Sequence, residues 1–380
     1  MKKIGRQTLF LTTSEHNPRN GESTFLRLND GRIMLAFTEY YGEEWFDHAI
    51  ARICACYSSD EGETWTKPVI IIEKDAEAQN IMSPSLLRLP NGNLGIVYLR
   101  KEFVTEQKLL CMPVFSESAD EGKSWSAPVF CTDEMGYYCV INDGCSVDRM
   151  GRIWVPMSNH GSGDDPTSDA GFAFQAYRNA VIQFACSDDC GKTWRKLPAT
   201  IESPFGDDIG FAEPGLFEFA DGRLWMYCRT PYGFQYQSFS DDRGESWSPV
   251  VPNFHFTSPD APMRVKQVGD LTLAVFNPKG FSCVSTTWEA WRSPKRTPIV
   301  CAVSRDGGKS FDSKDQTSVD GGFDAFIDNC YLLEDDESSS YCYPAILETA
   351  DGFLVTYYHS NGGEVCLNCT KVVKVLYGEL

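Results

Sequence analysis

The sequence predicts an all-β chain closed into a six-bladed β-propeller. Three observations carry this: an acidic turn repeated five times, a glycine hairpin repeated six times, and one unpaired strand-like segment near the N-terminus. The acidic turn reads SSDEGETW at 58–65, SADEGKSW at 118–125, SDDCGKTW at 187–194, SDDRGESW at 240–247 and SRDGGKSF at 304–311, all of the form S-x-D-x-G-x-[ST]-[WF]. Such an Asp box is a hairpin turn: Ser and Asp oxygens accept local backbone N–H groups, Gly supplies positive φ, and the closing Trp or Phe packs its ring between strands. Three boxes contain GKS or GKT. A phosphate loop would also need a glycine where Glu117, Cys186 and Val303 stand, so nucleotide binding is excluded.

The hairpin is a hydrophobic strand, a turn and a second strand, with turn glycines Gly31, Gly92, Gly151, Gly222, Gly269 and Gly352. Each of the first five hairpins is followed by one box, which makes the unit strand, Gly turn, strand, strand, box turn, strand: a four-stranded blade. Only 28 residues follow Gly352. The segment RQTLFLTT near the N-terminus therefore supplies the last blade's outer strand, and the ring closes by joining N- and C-terminal strands in one blade. With no Pro/Gly/Ser-rich linker, residues 1–380 are expected to form a single propeller domain.

Composition narrows the function. The 34 Lys+Arg against 53 Asp+Glu give a net charge of -19, which leaves no electrostatic footprint for nucleic acid or an anionic membrane. No run approaches the ~20 apolar residues of a membrane span. Gly5, Arg6 and Gln7 interrupt the N-terminal stretch, so neither a signal peptide nor an anchor is expected and the location expected is cytoplasmic. The fifteen irregularly spaced cysteines then read as reduced, mostly buried thiols; the one CxxC, Cys366 to Cys369, lacks a second pair for a zinc site.

In a propeller the first strand of each blade lines the axis, and its entry end faces the funnel. Counting nine residues back from each turn glycine gives Glu22, Ser83, Asn142, Glu213, Asp260 and Tyr343, all polar or hydroxyl-bearing. Such a ring calls for a ligand, water or countercharges. Arg229, at the end of blade four's second strand, and Arg296, eight residues before the fifth box, are available cations suited to a carboxylate. Asn80, Asp143, Arg264 and His160 are further candidates; for His160 an ordinary surface histidine is the commoner reading, and the Gly/Ser/Asp-rich stretch 158–171 around it is long enough for a rim or lid.

The pattern resembles the sialidase (neuraminidase) superfamily of glycoside hydrolases over essentially the whole chain. The boxes mark the fold and not the reaction, since related propellers include exo-arabinanases and non-catalytic proteins. The resemblance implies three arginines for a substrate carboxylate, a Tyr nucleophile assisted by Glu, and a loop Asp as acid/base. AEPGLFEFADGRLWMYCR matches the family's Glu motif at Glu213, with Arg229 sixteen residues on. YPAILETADG places Tyr343 as the nucleophile, although Pro344 stands where the family usually has Ser and Tyr341 is a neighbour to be told apart from it. Arg296, with Arg292 second, corresponds to the arginine before the late box, and Asp47, eleven residues before Ser58, to the acid/base. One departure stands out: Glu22 occupies the place of the family's first arginine, so that Arg19, three residues earlier, is left to reach the pocket from the loop, while Arg27 falls outside the funnel. The resemblance implies a retaining exo-glycosidase for terminal sialic acid or a related acidic sugar. Asp47, Glu213 and Tyr343 are catalytic in it, and Arg19, Glu22, Asn142, Asp143, Arg229, Asp260 and Arg296 bind substrate. The ligand implied is a small glycan, with no metal or organic cofactor. A different terminal sugar, or a non-catalytic glycan-binding propeller, are the alternatives.

Overall fold

The computed structural model describes residues 1–105, 108–161, 180–205, 210–278, 296–311, 330–360 and 367–380. Its strands fall into six small sheets, antiparallel except for one two-residue pair, arranged as the blades of a propeller. Blade one comprises Arg19–Arg27, Ile33–Tyr40, Ala51–Ser58 and Val69–Ile72; blade two Asn80–Arg88, Leu94–Thr105, Lys108–Ser118 and Val129–Phe130. Blade three has Ser146–Val147, Ile153–Asn159, Val181–Ser187 and Arg195–Lys196, with Tyr138–Cys139 also paired to Ile153–Asn159. Blade four is Ala212–Glu218, Leu224–Arg229, Phe234–Ser240 and Val251–Thr257, and blade five Arg264–Val268, Leu271–Phe276, Ile299–Ser304 and Tyr331–Glu334.

Blade six takes Tyr341–Thr349, Gly352–His359 and Cys369–Leu376 from the C-terminal end, and Arg6–Leu11 as its outer strand, as expected. The preceding residues add what the sequence did not suggest: Lys2–Lys3 pairs in parallel with Tyr331–Glu334 of blade five. The N-terminal segment thus fastens two blades. Gly5 (φ +77) makes the crossing, and a Cβ there would meet Val373 at 2.4 Å, so glycine is required.

Apolar side chains fill the spaces between blades. One cluster joins Val97 and Phe115 of blade two to Ile153, Val155 and Ala185 of blade three; another joins Leu273 and Cys301 of blade five to Val355 and Val373 of blade six. Tyr341 belongs to the latter and is fully buried, which separates it from Tyr343. The thirteen described cysteines are free thiols, eleven of them buried, and burial pushes Cys111 and Cys145 up to about 12.

The five boxes are superimposable in their bonding. In the first, Ser58 Oγ donates to Asp60 Oδ1 (2.8 Å) and accepts from Gly62 N (2.9 Å), and Asp60 accepts from Thr64 N (2.9 Å) and Thr64 Oγ1 (2.6 Å). The same bonds recur at Ser118, Ser187, Ser240 and Ser304. The turn needs two successive left-handed residues. The first is Glu61, Cys190 or another non-glycine in four boxes, and Gly307 in the fifth. The second is glycine because it abuts the preceding blade: a Cβ on Gly62 would lie 2.7 Å from Leu354, and one on Gly191 2.2 Å from Phe115.

Candidate functional site

At the other end of the inner strands lies a second ring of left-handed residues. Glu22, Ser83, Glu213, Asp260 and Tyr343 have φ between 47° and 57°, at the positions the nine-residue count picks out. In blade three the residue is Asp143 (φ 54) and not Asn142, one place later than counted. That blade's inner segment is broken by a tight turn, Gly144 N to Ile141 O at 3.0 Å, which absorbs one residue. In blades one, two, four and six the strand pairing slips at this point, as between Gly21 and Thr24 or Cys342 and Ala345. Each bulge turns one side chain toward the axis at a cost of about 1–2 kcal/mol for a non-glycine. Strain repeated at one level in all six blades marks where side chains are displayed rather than packed.

Four of the expected residues meet on one side of the funnel. Tyr343 Oη donates to Glu213 Oε1 at 2.6 Å, across 130 residues of sequence. Arg229 Nη1 donates to Glu213 Oε2 (2.9 Å) and to Tyr343 Oη (3.2 Å), and the rest of its fork binds Asp260 at 2.7 and 3.2 Å. Burial and the Glu213 charge push the Tyr343 phenol well above its ordinary value, so it rests protonated. Arg296 stands beside them. It donates to Cys342 Sγ (2.8 Å) and to the Asp260 carbonyl (2.9 Å), lies 5.9 Å from the Tyr343 ring centre, and meets no carboxylate oxygen among the described residues.

The opposite side is built around Arg19, which does reach the funnel. Its Nε donates to Tyr358 Oη (3.0 Å), Nη1 to Asp47 Oδ1 (2.5 Å), and Nη2 to Glu22 Oε1 (3.5 Å), while the guanidinium sits 4.7 Å from the Tyr40 ring centre. Gly21 has no side chain for a reason: a Cβ would fall 1.7 Å from the Tyr358 ring. Glu22, 4% exposed, also accepts from Ser83 Oγ at 2.6 Å. Burial pushes it up from 4.5 to about 6, against the pull of Arg19. Asp47 is 61% exposed at the funnel mouth. The funnel walls desolvate it, which works to raise its pKa, but the Arg19 and Lys101 charges outweigh this and hold it ionised below the usual carboxylate range.

Beneath both sides, Asp143 accepts from Thr24 Oγ1 (2.9 Å), Arg264 Nε (3.1 Å) and Lys266 Nζ (3.2 Å). Asn142 Nδ2 bridges Ser23 O (2.7 Å) and Tyr343 O (3.2 Å). Both are buried and their bonds run across the axis from blade three to blades one, five and six. His160 is not a surface histidine: it is 5% exposed, its Nε2 lies 3.0 Å from Ser158 Oγ, and its ring stands edge-on to Tyr137. Asn80 Nδ2 binds the carbonyls of Asp47 (2.8 Å) and Ala49 (2.9 Å). Arg27 pairs with Glu61 on the Asp-box side, outside the funnel. Arg292, Cys366 and residues 162–171 of the possible rim lie outside the described residues.

Sequence reading missed Lys101, Tyr358, Tyr40, Cys342 and Lys266. Lys101 Nζ donates to the Asp47 carbonyl at 2.8 Å and lies 3.4 Å from His48 Nδ1. A signal existed for two of them: Tyr40 and Lys101 stand nine residues after Gly31 and Gly92, as the already named His160 does after Gly151, the mirror of the count used for the inner strand. Among the described residues no group of three or more His, Cys, Asp and Glu could hold a metal ion, and no helix is long and apolar enough to cross a membrane.

The profile of the BNR repeat-like domain matches residues 47–356. The chain belongs to this family. Solved structures with the same propeller include a protein of unknown function from Dyadobacter fermentans (TM-score 0.68, 16% identity, 97% of this chain and 99% of that one). They also include the NanB sialidase of Streptococcus pneumoniae (TM-score 0.66, 14% identity, 100% and 71%). A third is the sialidase of Trypanosoma rangeli, held as a covalent intermediate with 2,3-difluorosialic acid (TM-score 0.65, 16% identity, 98% and 59%). The present chain thus spans under two thirds of the trypanosomal enzyme, and at these identities the likeness is one of fold. No curated protein sequence matches.

Proposed function

We propose that the protein is a retaining exo-glycosidase that releases terminal sialic acid, or a related acidic sugar, from oligosaccharides or glycoconjugates. The observation that carries this is the 2.6 Å bond from Tyr343 Oη to Glu213 Oε1, with Arg229 Nη1 donating to Tyr343 Oη and to Glu213 Oε2. A buried phenol bonded to a carboxylate is a poor structural pair and a good nucleophile in waiting. As Tyr343 Oη bonds to the anomeric carbon, its proton passes to Glu213 and the Arg229 N–H meets the charge developing on oxygen. The glycosidic C–O bond breaks and the leaving oxygen takes a proton from Asp47; Asp47 then draws a proton from the water that attacks the anomeric carbon, and Tyr343 recovers its own from Glu213. A neutral phenol also avoids the repulsion a carboxylate nucleophile would meet beside an acidic substituent.

Arg296 is the natural first partner of that substituent, since Arg19 and Arg229 already face two carboxylates each. A substrate carboxylate that drew Arg19 away would remove the cation holding Asp47 ionised and add a negative neighbour. Both changes raise the Asp47 pKa, so substrate binding itself would arm the acid. Glu22 supports a second reading, the same chemistry on a different terminal sugar whose hydroxyls it would bind. Reduced thiols and the overall charge fit action inside the cell on a small soluble glycan. A fluorogenic panel tests the reading: release from an aryl sialoside, abolished by Tyr343→Phe with folding intact, is expected. Release of another sugar alone selects the second reading, and glycan binding without any release means a non-catalytic propeller.

A further inference from the structure

We propose that Trp45 and Phe46 form a stacking platform for the sugar on the leaving-group side of the scissile bond, selecting substrates with a neutral pyranose there. This deepens the reading above and rests on Asp47 as its acid. These two consecutive residues carry large aromatic side chains that are 44% and 43% exposed, and neither joins an apolar cluster of the described residues. Their main chain is nevertheless fixed. Four consecutive carbonyls are bonded: Trp45 O to Arg19 Nη1 (3.3 Å), Phe46 O to Ala49 N (2.8 Å), Asp47 O to Lys101 Nζ and Asn80 Nδ2 (2.8 Å each), and His48 O to Gln79 Nε2 (2.7 Å). Three of those donors come from blade two, so the neighbouring blade grips the backbone while the rings stay out. A rigid backbone holding exposed rings is a binding surface with its ordering cost already met.

Position identifies the occupant. An acid must come within about 2.6–3.2 Å of the glycosidic oxygen it protonates. The first sugar beyond that oxygen therefore falls beside the residues next to Asp47, whose Cα atoms follow at about 3.8 Å intervals. The C–H face of a pyranose suits an aromatic face, and covering both removes apolar surface from water. Charge excludes the other claimants. Glu43, Glu44 and Asp47 flank the two aromatic residues in sequence, and an anionic lipid surface or a phosphorylated partner would be repelled, whereas sugar hydroxyls can donate to those carboxylates.

The experiment compares kcat/KM for one acidic sugar linked to lactose and to a methyl group, in the wild type, Trp45→Ala and Phe46→Ala. The lactoside-to-methyl ratio should fall roughly tenfold, the factor that corresponds to about 1.4 kcal/mol. Because it is a ratio, a partly unfolded variant does not alter it. An unchanged ratio in both variants overturns the platform. If the wild type cleaves neither substrate, the catalytic reading fails by itself, and the platform is judged by titrating intrinsic tryptophan fluorescence with lactose. A saturable change lost in Trp45→Phe supports it, and no change in the wild type overturns it.

Discussion

The two faces of the propeller use the same backbone device for opposite purposes. On the Asp-box face, Glu61, Glu121, Cys190 and Arg243 are left-handed non-glycines, as are Glu22, Ser83, Asp143, Glu213, Asp260 and Tyr343 at the funnel. On the box face the bonds are local or reach only the adjacent blade, and they repeat: Glu121 binds Arg88 and the Asn29 backbone, Glu61 binds Arg27 and the Ala350 backbone. At the funnel the six residues are two Glu, two Asp, one Ser and one Tyr, no two of them make the same set of bonds, and the bonds cross the axis, as from Tyr343 to Glu213. Where a strained position repeats with its partners, it stabilises the ring; where it repeats without them, it presents chemistry.

The comparison can be tested by substitutions on either side, taken from the largest effect down. Tyr343→Phe or Glu213→Gln should reduce turnover of an aryl sialoside by ~10³-fold or more, with thermal unfolding little changed. Asp143→Ala, at the same level, should instead cost about 3–5 kcal/mol in denaturant titration, because Arg264 and Lys266 are left buried without their carboxylate. An Asp143 variant of wild-type stability would show that the ring does not divide in this way. Glu22→Gln should raise stability at pH 7.5 by about 2 kcal/mol and change it little at pH 4. The sign follows from a folded pKa raised to about 6: the group favours folding below its ordinary 4.5 and loses that contribution as pH rises through about 6. Lys101→Met should lower activity roughly tenfold and shift its pH profile by freeing the Asp47 loop, an outcome that a purely structural lysine would not produce. Smallest, Ser118→Ala in the second box should cost about 1 kcal/mol in thermal unfolding and leave kcat untouched.

The blades were legible because their signals are local: box and Gly turn each lie within a few residues, and their order dictates the sheet. The funnel was partly legible because it inherits the blade period, so that one count from the glycines found five of six left-handed positions. It slipped at Asn142, where blade three's inner segment spends a residue on a turn. Lys101, Tyr358 and Cys342 escaped for a different reason. Each acts on a side chain supplied by another blade or by a loop, Lys101 on Asp47 and Tyr358 on Arg19, and nothing in their own neighbourhood announces it. Arg19 and Glu22 looked like rivals for one place; in three dimensions they are partners, bonded to each other and to different neighbours.

The closing strand has a consequence for how the molecule is made. Arg6 pairs with Lys374, a separation of 374 − 6 = 368 residues, so the contact that completes the ring is among the most distant the chain can form. Non-local closure of this kind is entropically expensive and slow. Until it happens, the edge of Cys369–Leu376 stays unpaired and open to another chain.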